Sequence, residues 1–377
     1  MNCLAFILLG PYDTRRLVSQ SNQRPVARAW ADVDLGAIVA NANTVASVSQ
    51  SRLLPMVKAN GYGLGAVQVA GALESLEPWG YGVATLAEGA ELRSAGIERP
   101  VVVFSPLVPE DVADVLRHDL RPAIGDLPAL EVWVGATDRP FHLEIDTGMT
   151  RAGLRWHDAE TLAHALRLVA SAPGWEGIFT HFHSADTDDS ATATQWERFH
   201  SVLQNLPRRP ALIHAANSAA ALRGTRFSGD LVRPGIFLYG GAVGGHEPAV
   251  AVRFRAPVVS LRTIRAGDTV SYGATWTAPA PTEIATIGIG YADGVPRVLG
   301  GRTDVELAGA RRPLVGRVTM DLSMVAVPAG TVQCGDVATV YGGLVSLSEQ
   351  AERAGTISYE LLTALGGRVP RLYRHRS

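Results

Sequence analysis

The chain predicts an α/β protein with a TIM-type (β/α) barrel in its N-terminal part and a mostly antiparallel β domain after it. Three observations carry that prediction. From Trp30 to about Tyr239, short apolar runs alternate with polar turns and helix-like stretches, the rhythm of a parallel sheet. Eight such runs can be counted, the number that closes a barrel of this type. After Gly241 the pattern changes to segments such as FRAPVVSLRTIRAGDTVSYG, TEIATIGIGY, RPLVGRVT and DVATVYGG, which alternate or run apolar between Gly-Asp and Pro turns.

Taken in order, residues 1–24 read as a flexible extension. LAFILLG is apolar, but no basic stretch precedes it, no small-residue cleavage pattern follows, and polar QSNQRP separates it from the first patterned segment. The barrel is expected over 25–245. It opens with a helix that has Asp34 as N-cap and Leu35, Ile38, Val39, Ala42 and Val45 on one face. Its strands are expected at LLPMV (53–57), YGVAT (81–85), VVVFS (101–105), LRPAI (120–124), FHLEI (141–145), GIFTH (177–181), ALIHA (211–215) and VRPGIFL (232–238). The β domain is expected over 246–377.

Composition narrows the class of function. With 377 residues, 47% hydrophobic and 19% charged, the chain has ample core for a folded protein. A net charge of −2 argues against a nucleic-acid partner, which selects a concentrated basic excess. Cys3 and Cys334 are spaced neither as a metal site nor as a disulfide framework, so a cytoplasmic location without a bound metal is expected. No run approaches the roughly 20 apolar residues of a membrane-crossing helix.

In a (β/α) barrel, reactive groups come from the C-terminal ends of the strands, and several unusual polar residues fall there. Lys58 directly follows LLPMV. A lysine at the end of a buried strand serves as a Schiff-base nitrogen or a lowered-pKa base, although alone it equally suits a side chain snorkelling to the rim. His181 follows GIFT, Asn217 and Ser218 follow ALIHAA, and Arg233, Gly235 and Ile236 lie in the last expected strand. Singly, these are an ordinary structural histidine and an ordinary helix start; together they would converge on one mouth. Free backbone N–H groups at such turns can bind phosphate without a basic surface.

The strings VKANGYGLG, IDTGMTRAG, HAANSAA, RPGIFLYG, VSYGATW, IGYADGVPR and RVTMDLSM occur in this order and resemble the motif set of alanine racemases from about Trp30 to Arg371. The resemblance implies a barrel that binds pyridoxal 5'-phosphate (PLP), followed by a β domain, and interconversion of L- and D-alanine by two bases. Lys58 would hold the cofactor and exchange the Cα proton on one face; Tyr272 would serve the other. His181 would hydrogen-bond that tyrosine, and Arg233 would lie beside the pyridine nitrogen. Tyr62, Asn217, Ser218, Gly235, Ile236 and Tyr359 would complete the cofactor site around the phosphate. Arg151 would contact the cofactor's phenolic oxygen, Met320 would bind the substrate carboxylate, and Tyr291 with Tyr359 would narrow the mouth.

Asp321 and Arg297 take supporting positions. The resemblance also implies a homodimer in which Tyr272 completes the other subunit's site. Where many members carry a carbamylated lysine, this chain has Glu144. Its carboxylate is expected to position Arg151 through a charge-assisted hydrogen bond. No physical reason is evident for His183, where a small residue is common. Three other functions share part of this set: a racemase preferring serine or a broader range, a PLP-dependent decarboxylase, which does not use a tyrosine base at VSYGATW, and a PLP-carrying barrel, which stops before residue 245.

Overall fold

The computed structural model describes residues 28–374. The expected extension over 1–24 and Cys3 lie outside the described residues. Strand Trp30–Asp34 (β1) leads straight into helix Leu35–Ser49, and Asp34 caps it by accepting the Ala37 N–H at 3.0 Å. The helix buries Leu35, Ile38, Ala42 and Val45, with Val39 packed at the edge of the same core. That is the face its apolar spacing predicts.

Eight parallel strands follow: Arg52–Leu53 (β2), Tyr81–Val83 (β3), Val101–Val103 (β4), Arg121–Ile124 (β5), Phe141–Asp146 (β6), Trp175–Phe179 (β8), Leu212–Asn217 (β9) and Leu231–Arg233 (β10), with the short Leu154–Arg155 (β7) beside β6. The path runs β2-β10-β9-β8-β6-β5-β4-β3. Its two ends meet, because Met56 bridges Gly82 and the Val57 N–H donates to Gly82 O at 2.8 Å. The Gly82 N–H donates to Pro55 O at 2.9 Å, and the barrel is closed. A Cβ at Gly82 would stand 2.4 Å from Met56 Sδ, so glycine lets this seam form.

Several expected strands come out shorter than their apolar runs: YGVAT ends at Val83 and VVVFS at Val103, and two others are cut by proline. Pro55 lacks an N–H, so β2 ends at Leu53 and resumes only as the Met56 bridge. Pro234 likewise ends β10 at Arg233, and the rest of VRPGIFL turns back on itself, with the Leu238 N–H on Gly235 O and the Tyr239 N–H on Ile236 O.

The second sheet contains Val252–Ile264 (β11), Thr282–Ile287 (β14), Asp304–Leu307 (β15), Ala310–Val315 (β16), Ser323–Val327 (β17), Val337–Tyr341 (β18) and Arg371–Arg374 (β19), with Thr269–Val270 (β12) and Trp276–Thr277 (β13) as a separate hairpin. Apart from β19 it is antiparallel, and it closes on itself through β11, which pairs β18 along its first half and β14 along its second. The strand β1 pairs antiparallel with β11 and parallel with β19, so the first described strand belongs to this sheet rather than to the barrel.

Asn41 joins the parts. Buried on the first helix, it donates to Leu238 O and Ala249 O at 3.2 and 3.0 Å and accepts the Ala249 N–H at 2.7 Å, which clamps the crossover from barrel to second sheet. Replacing Asn41 by Ala removes three hydrogen bonds, one of them to the buried Leu238 carbonyl. The expected loss is on the order of 3 kcal/mol in urea unfolding, and a loss below about 1 kcal/mol would sink the clamp assignment.

Candidate active site

The parallel strands bring Lys58, Asp146 to Arg151, His181, Ser218 and Arg233 to one rim of the barrel, because each follows the C-terminal end of a strand or its seam. Lys58 starts a left-handed turn: Ala59, Asn60, Gly61 and Tyr62 have φ of 51, 53, 60 and 54°. Such backbone costs roughly 1–2 kcal/mol per residue with a Cβ, so it persists only where its surroundings enforce it. They do. Glu88 accepts the N–H groups of Ala59 and Ala84, both at 2.7 Å, and Asn60 Oδ1 accepts the Ala66 N–H at 3.0 Å. Gly63 closes the turn, where a Cβ would lie 2.3 Å from Leu362 O.

The rim gathers three cations, Lys58, Arg151 and Arg233, with the carboxylates Glu88, Glu144 and Asp146 among them. Burial, then the Arg151 and Arg233 guanidiniums, holds the Lys58 amine below its ordinary range. His181 is pushed down to about 3 by burial and by Arg233, Arg151 and Lys58, which makes it a neutral imidazole. Arg233 itself is brought to about 10 by burial. Glu144 is buried beside Asp146; burial raises its carboxyl, and Arg151 and Arg233 oppose that rise.

Arg233 lies over the Phe179 and Phe104 rings at 5.2 and 5.8 Å and donates to Thr180 O, Ala215 O and His214 Nδ1 at 2.8, 2.9 and 2.7 Å. Its Nη2 is also 3.4 Å from His181 Nδ1. Asp146 accepts the Gly148 and Thr150 N–H groups at 2.9 and 3.0 Å and so shapes the loop that ends in the exposed Arg151. Glu144 fits because Gly125 and Gly153 face it: a Cβ at Gly153 would meet Glu144 Cγ at 3.1 Å. Among the described residues no hydrogen bond or ion pair joins Glu144 to Arg151. The expected charge-assisted hydrogen bond is therefore not made, and the coupling between them is Coulombic.

Opposite these charges lies a corner of donors. The Gly235 N–H donates to Ser218 Oγ at 2.8 Å, which leaves the hydroxyl hydrogen free to donate outward. Among the described residues nothing accepts the N–H of the buried Ile236. A Cβ at Gly235 would stand 2.3 Å from Tyr62 Oη, so this glycine admits the phenol. Tyr62 stacks on Tyr239 at 4.5 Å and meets Tyr359 at 5.9 Å. Burial raises the Tyr62 hydroxyl and brings Tyr359 up to about 12, so both stay protonated donors at neutral pH. A cavity of 280 Å³ opens here, lined by Lys58, Ala59, Tyr62, Ile357, Tyr359 and Thr363 among others. Asn217 contributes as a cap, accepting the Ala220 N–H at 3.1 Å.

The remaining expected residues lie on the second sheet's loops. Tyr272 is 70% exposed on a turn whose neighbours Ser271, Gly273 and Ala274 all have positive φ. Tyr291 and Met320 are exposed side by side, joined by the Tyr291 N–H on Thr319 O and the Ala292 N–H on Met320 O. Asp321 receives Arg368 Nη2 at 2.6 Å, and Arg297 is exposed on a single short turn. Among the described residues no hydrogen bond or aromatic contact joins Tyr272, Tyr291 or Met320 to Lys58, His181 or Arg233. Tyr359 alone of the second-sheet set touches the rim residue Tyr62.

Several residues at the site went unnoticed in the sequence. Glu88 had a legible signal, the Thr85-x-x-Glu88 capping box, whose Glu also takes the Ala59 N–H. His142 and His214 signal themselves only as polar residues inside apolar strands. Gln195, which donates to His181 O and Thr147 Oγ1 from a distant helix, gives no local sign. His183 bonds Ser184 Oγ through its ring at 2.6 Å, and its N–H donates to Gln195 Oε1.

Comparison with known proteins adds the family. A family model described as Alanine racemase, N-terminal domain matches residues 33–243, and one described as Alanine racemase, C-terminal domain matches residues 251–373. The alanine racemase of Deinococcus radiodurans is 39% identical over 353 residues, spanning 91% of this chain and 98% of that one. The crystal structure of alanine racemase from E. faecalis superposes with a TM-score of 0.85 at 33% identity, covering 92% of this chain and 98% of that one. That from Bartonella henselae, with covalently bound pyridoxal phosphate, gives 0.85 at 31% identity, covering 93% and 100%.

The neutral His181 is directly checkable. Its folded pKa of about 3 lies below the ordinary 6.5, so the unfolded chain binds the proton more readily. His181 therefore contributes stability that is present above pH 6.5 and is lost as pH falls towards 3. In ¹⁵N-histidine NMR the ring is expected to stay neutral at pH 5; titration near 6.5 would contradict the geometry.

Proposed function

The chain belongs to the alanine racemase family and is an isomerase that acts on alanine, and from that premise we propose that it works with pyridoxal 5'-phosphate held at the barrel rim by Lys58. The carrying observation is the convergence of Lys58, Arg151, neutral His181 and Arg233 opposite a corner of unengaged donors. The residues fit the group. The Ile236 N–H and the hydroxyls of Ser218, Tyr62 and Tyr359 would hold its phosphate, and Gly235 provides the space. Arg233, which only donates, would meet the ring nitrogen without passing it a proton. Arg151 would meet the phenolic oxygen. When bound, the cofactor supplies an electron sink that acidifies the Cα–H of the attached amino acid.

The chain's own groups then move the proton. Holding the cofactor and taking a proton both require the free amine, and burial with Arg151 and Arg233 lowers the Lys58 pKa in that direction. Removing and returning a proton on one face preserves configuration, so racemization needs a second base on the other face. No such base from the same chain meets Lys58 among the described residues. We assign the role to Tyr272 of the partner subunit, hydrogen-bonded to His181, with Met320 and Tyr291 from the same copy shaping the substrate end. The exposure of Tyr272 and Met320 on the second sheet's loops, and of Ile357 beside the Lys58 cavity, supports this reading, since exposed apolar side chains are what a second copy covers. Glu144 would temper the charge of Arg151 and Arg233.

Two measurements test the proposal. Purified protein given L-alanine is expected to form D-alanine, with Lys58→Ala and Tyr272→Phe each nearly inactive. Mixing the two inactive variants under subunit exchange is expected to restore about a quarter of the wild-type rate, because a mixed dimer regains one intact site of two. Exchange confirmed by mass spectrometry without any recovery would rule out the shared site. Separately, Gly235→Ala is expected to fold yet lose PLP absorbance on dialysis; full retention would remove Gly235 from the phosphate corner.

A further inference from the structure

Arg233 does not end its contacts at the rim. Its Nη1 meets His214 Nδ1 at 2.7 Å, His214 Nε2 meets His142 Nδ1 at 2.8 Å, and His142 Nε2 meets Glu176 Oε2 at 3.3 Å. Arg121 Nε then donates to the same Glu176 oxygen at 2.7 Å. Arg233 closes β10 at the reactive rim, whereas Arg121 opens β5 and Glu176 is the second residue of β8. The series therefore crosses the barrel interior from one mouth to the other.

Its direction follows from chemistry. A guanidinium only donates, so His214 Nδ1 must be bare. His214 is fully buried and burial, with Arg233 beside it, opposes a charged ring, so its single proton sits on Nε2 and donates to His142 Nδ1. His142, equally buried and also held below its ordinary range, then carries its proton on Nε2 and donates to Glu176. The rings have little freedom to turn. Phe179 stacks on His214 at 4.9 Å and 8°, Trp79 lies 5.6 Å from His142, and a Cβ at Gly177 would stand 2.7 Å from His142 Nδ1.

We infer that Glu176 is a positioning residue for the reaction, acting on Arg233 through His142 and His214. Each bond in such a series polarises the next, so a carboxylate at the far mouth draws on the charge of a guanidinium it does not touch. Arg233 is thereby held in one orientation and one donor state. The inference rests on the placement of Arg233 beside the cofactor ring proposed above.

The test begins with ¹⁵N-histidine-labelled holoenzyme, whose ring shifts report which nitrogen carries the proton. Both His142 and His214 are expected as Nε2–H tautomers; an Nδ1–H or charged His214 overturns the inference, whatever any variant does. Glu176→Gln replaces the acceptor by a group that can donate to His142, and is expected to change these tautomers, shift the cofactor absorbance and lower kcat by about tenfold with KM little changed. That figure is the lower end of what outer-shell partners of metal-bound histidines are worth. A purely structural ion pair with Arg121 would lower stability and leave tautomers and absorbance alone, which would also overturn it. A wild-type protein that does not racemize alanine would defeat the proposed function; an active enzyme whose Glu176→Gln variant matches it in tautomers and kcat defeats only this inference.

Discussion

A guanidinium that has lost its water governs this architecture. Arg233 is buried, and among the described residues no carboxylate lies within hydrogen-bond reach, so carbonyls and imidazoles must meet its donors. Thr180 O and Ala215 O are available because β8 has ended and β9 is closing at that height. The same charge helps keep His181 neutral and the Lys58 amine low. The state of His181 and that of the Lys58 amine therefore share two causes, burial and the charge of Arg233.

The two sheets divide the labour. The barrel supplies the fixed charges, and the second sheet supplies exposed aromatic loops. Yet the division is not a division of sequence, because β1 and β19, from opposite ends of the described chain, lie side by side in the second sheet. The first barrel helix continues directly from β1, and Asn41 on that helix holds the crossover, so the sheets cannot shift without disturbing the first element of the barrel. That rigidity suits the proposed site, in which parts from two subunits would have to meet and small errors in placement would be costly to the reaction.

Much of this was legible in the sequence, and the limits have physical reasons. The βα rhythm revealed all eight barrel strands, since fully buried strands leave continuous apolar runs. Their lengths were not legible at LLPMV and VRPGIFL, where proline removes a ladder donor inside a run that still looks apolar. Asp34 and the face of the first helix were readable because capping and 3.6-residue spacing are local. The role of β1 was not, because pairing with β11 more than 200 residues away leaves no trace in five residues. At the site, the rim residues could be named from strand ends. The separation of Tyr272 from Lys58 within one chain is tertiary, as is the missing Glu144 to Arg151 hydrogen bond, which depends on where two side chains of different length come to rest.

The left-handed turn at Ala59–Tyr62 shows why strain is kept where it is. Three of its four residues carry a Cβ, and a right-handed turn over the same stretch would be the cheaper backbone. It would, however, reverse the sense in which the chain leaves Lys58, taking the Tyr62 phenol off Gly235 and off its stack with Tyr239. Lys58 and Tyr62 line one cavity only because the turn winds the unusual way. Glu88 offsets the cost by giving Ala59 and Ala84 a charged acceptor, a stronger partner than a carbonyl. The glycines at 61, 63 and 235 make the room. The Lys58 amine and the Tyr62 phenol thus owe their common cavity to the backbone geometry of this turn.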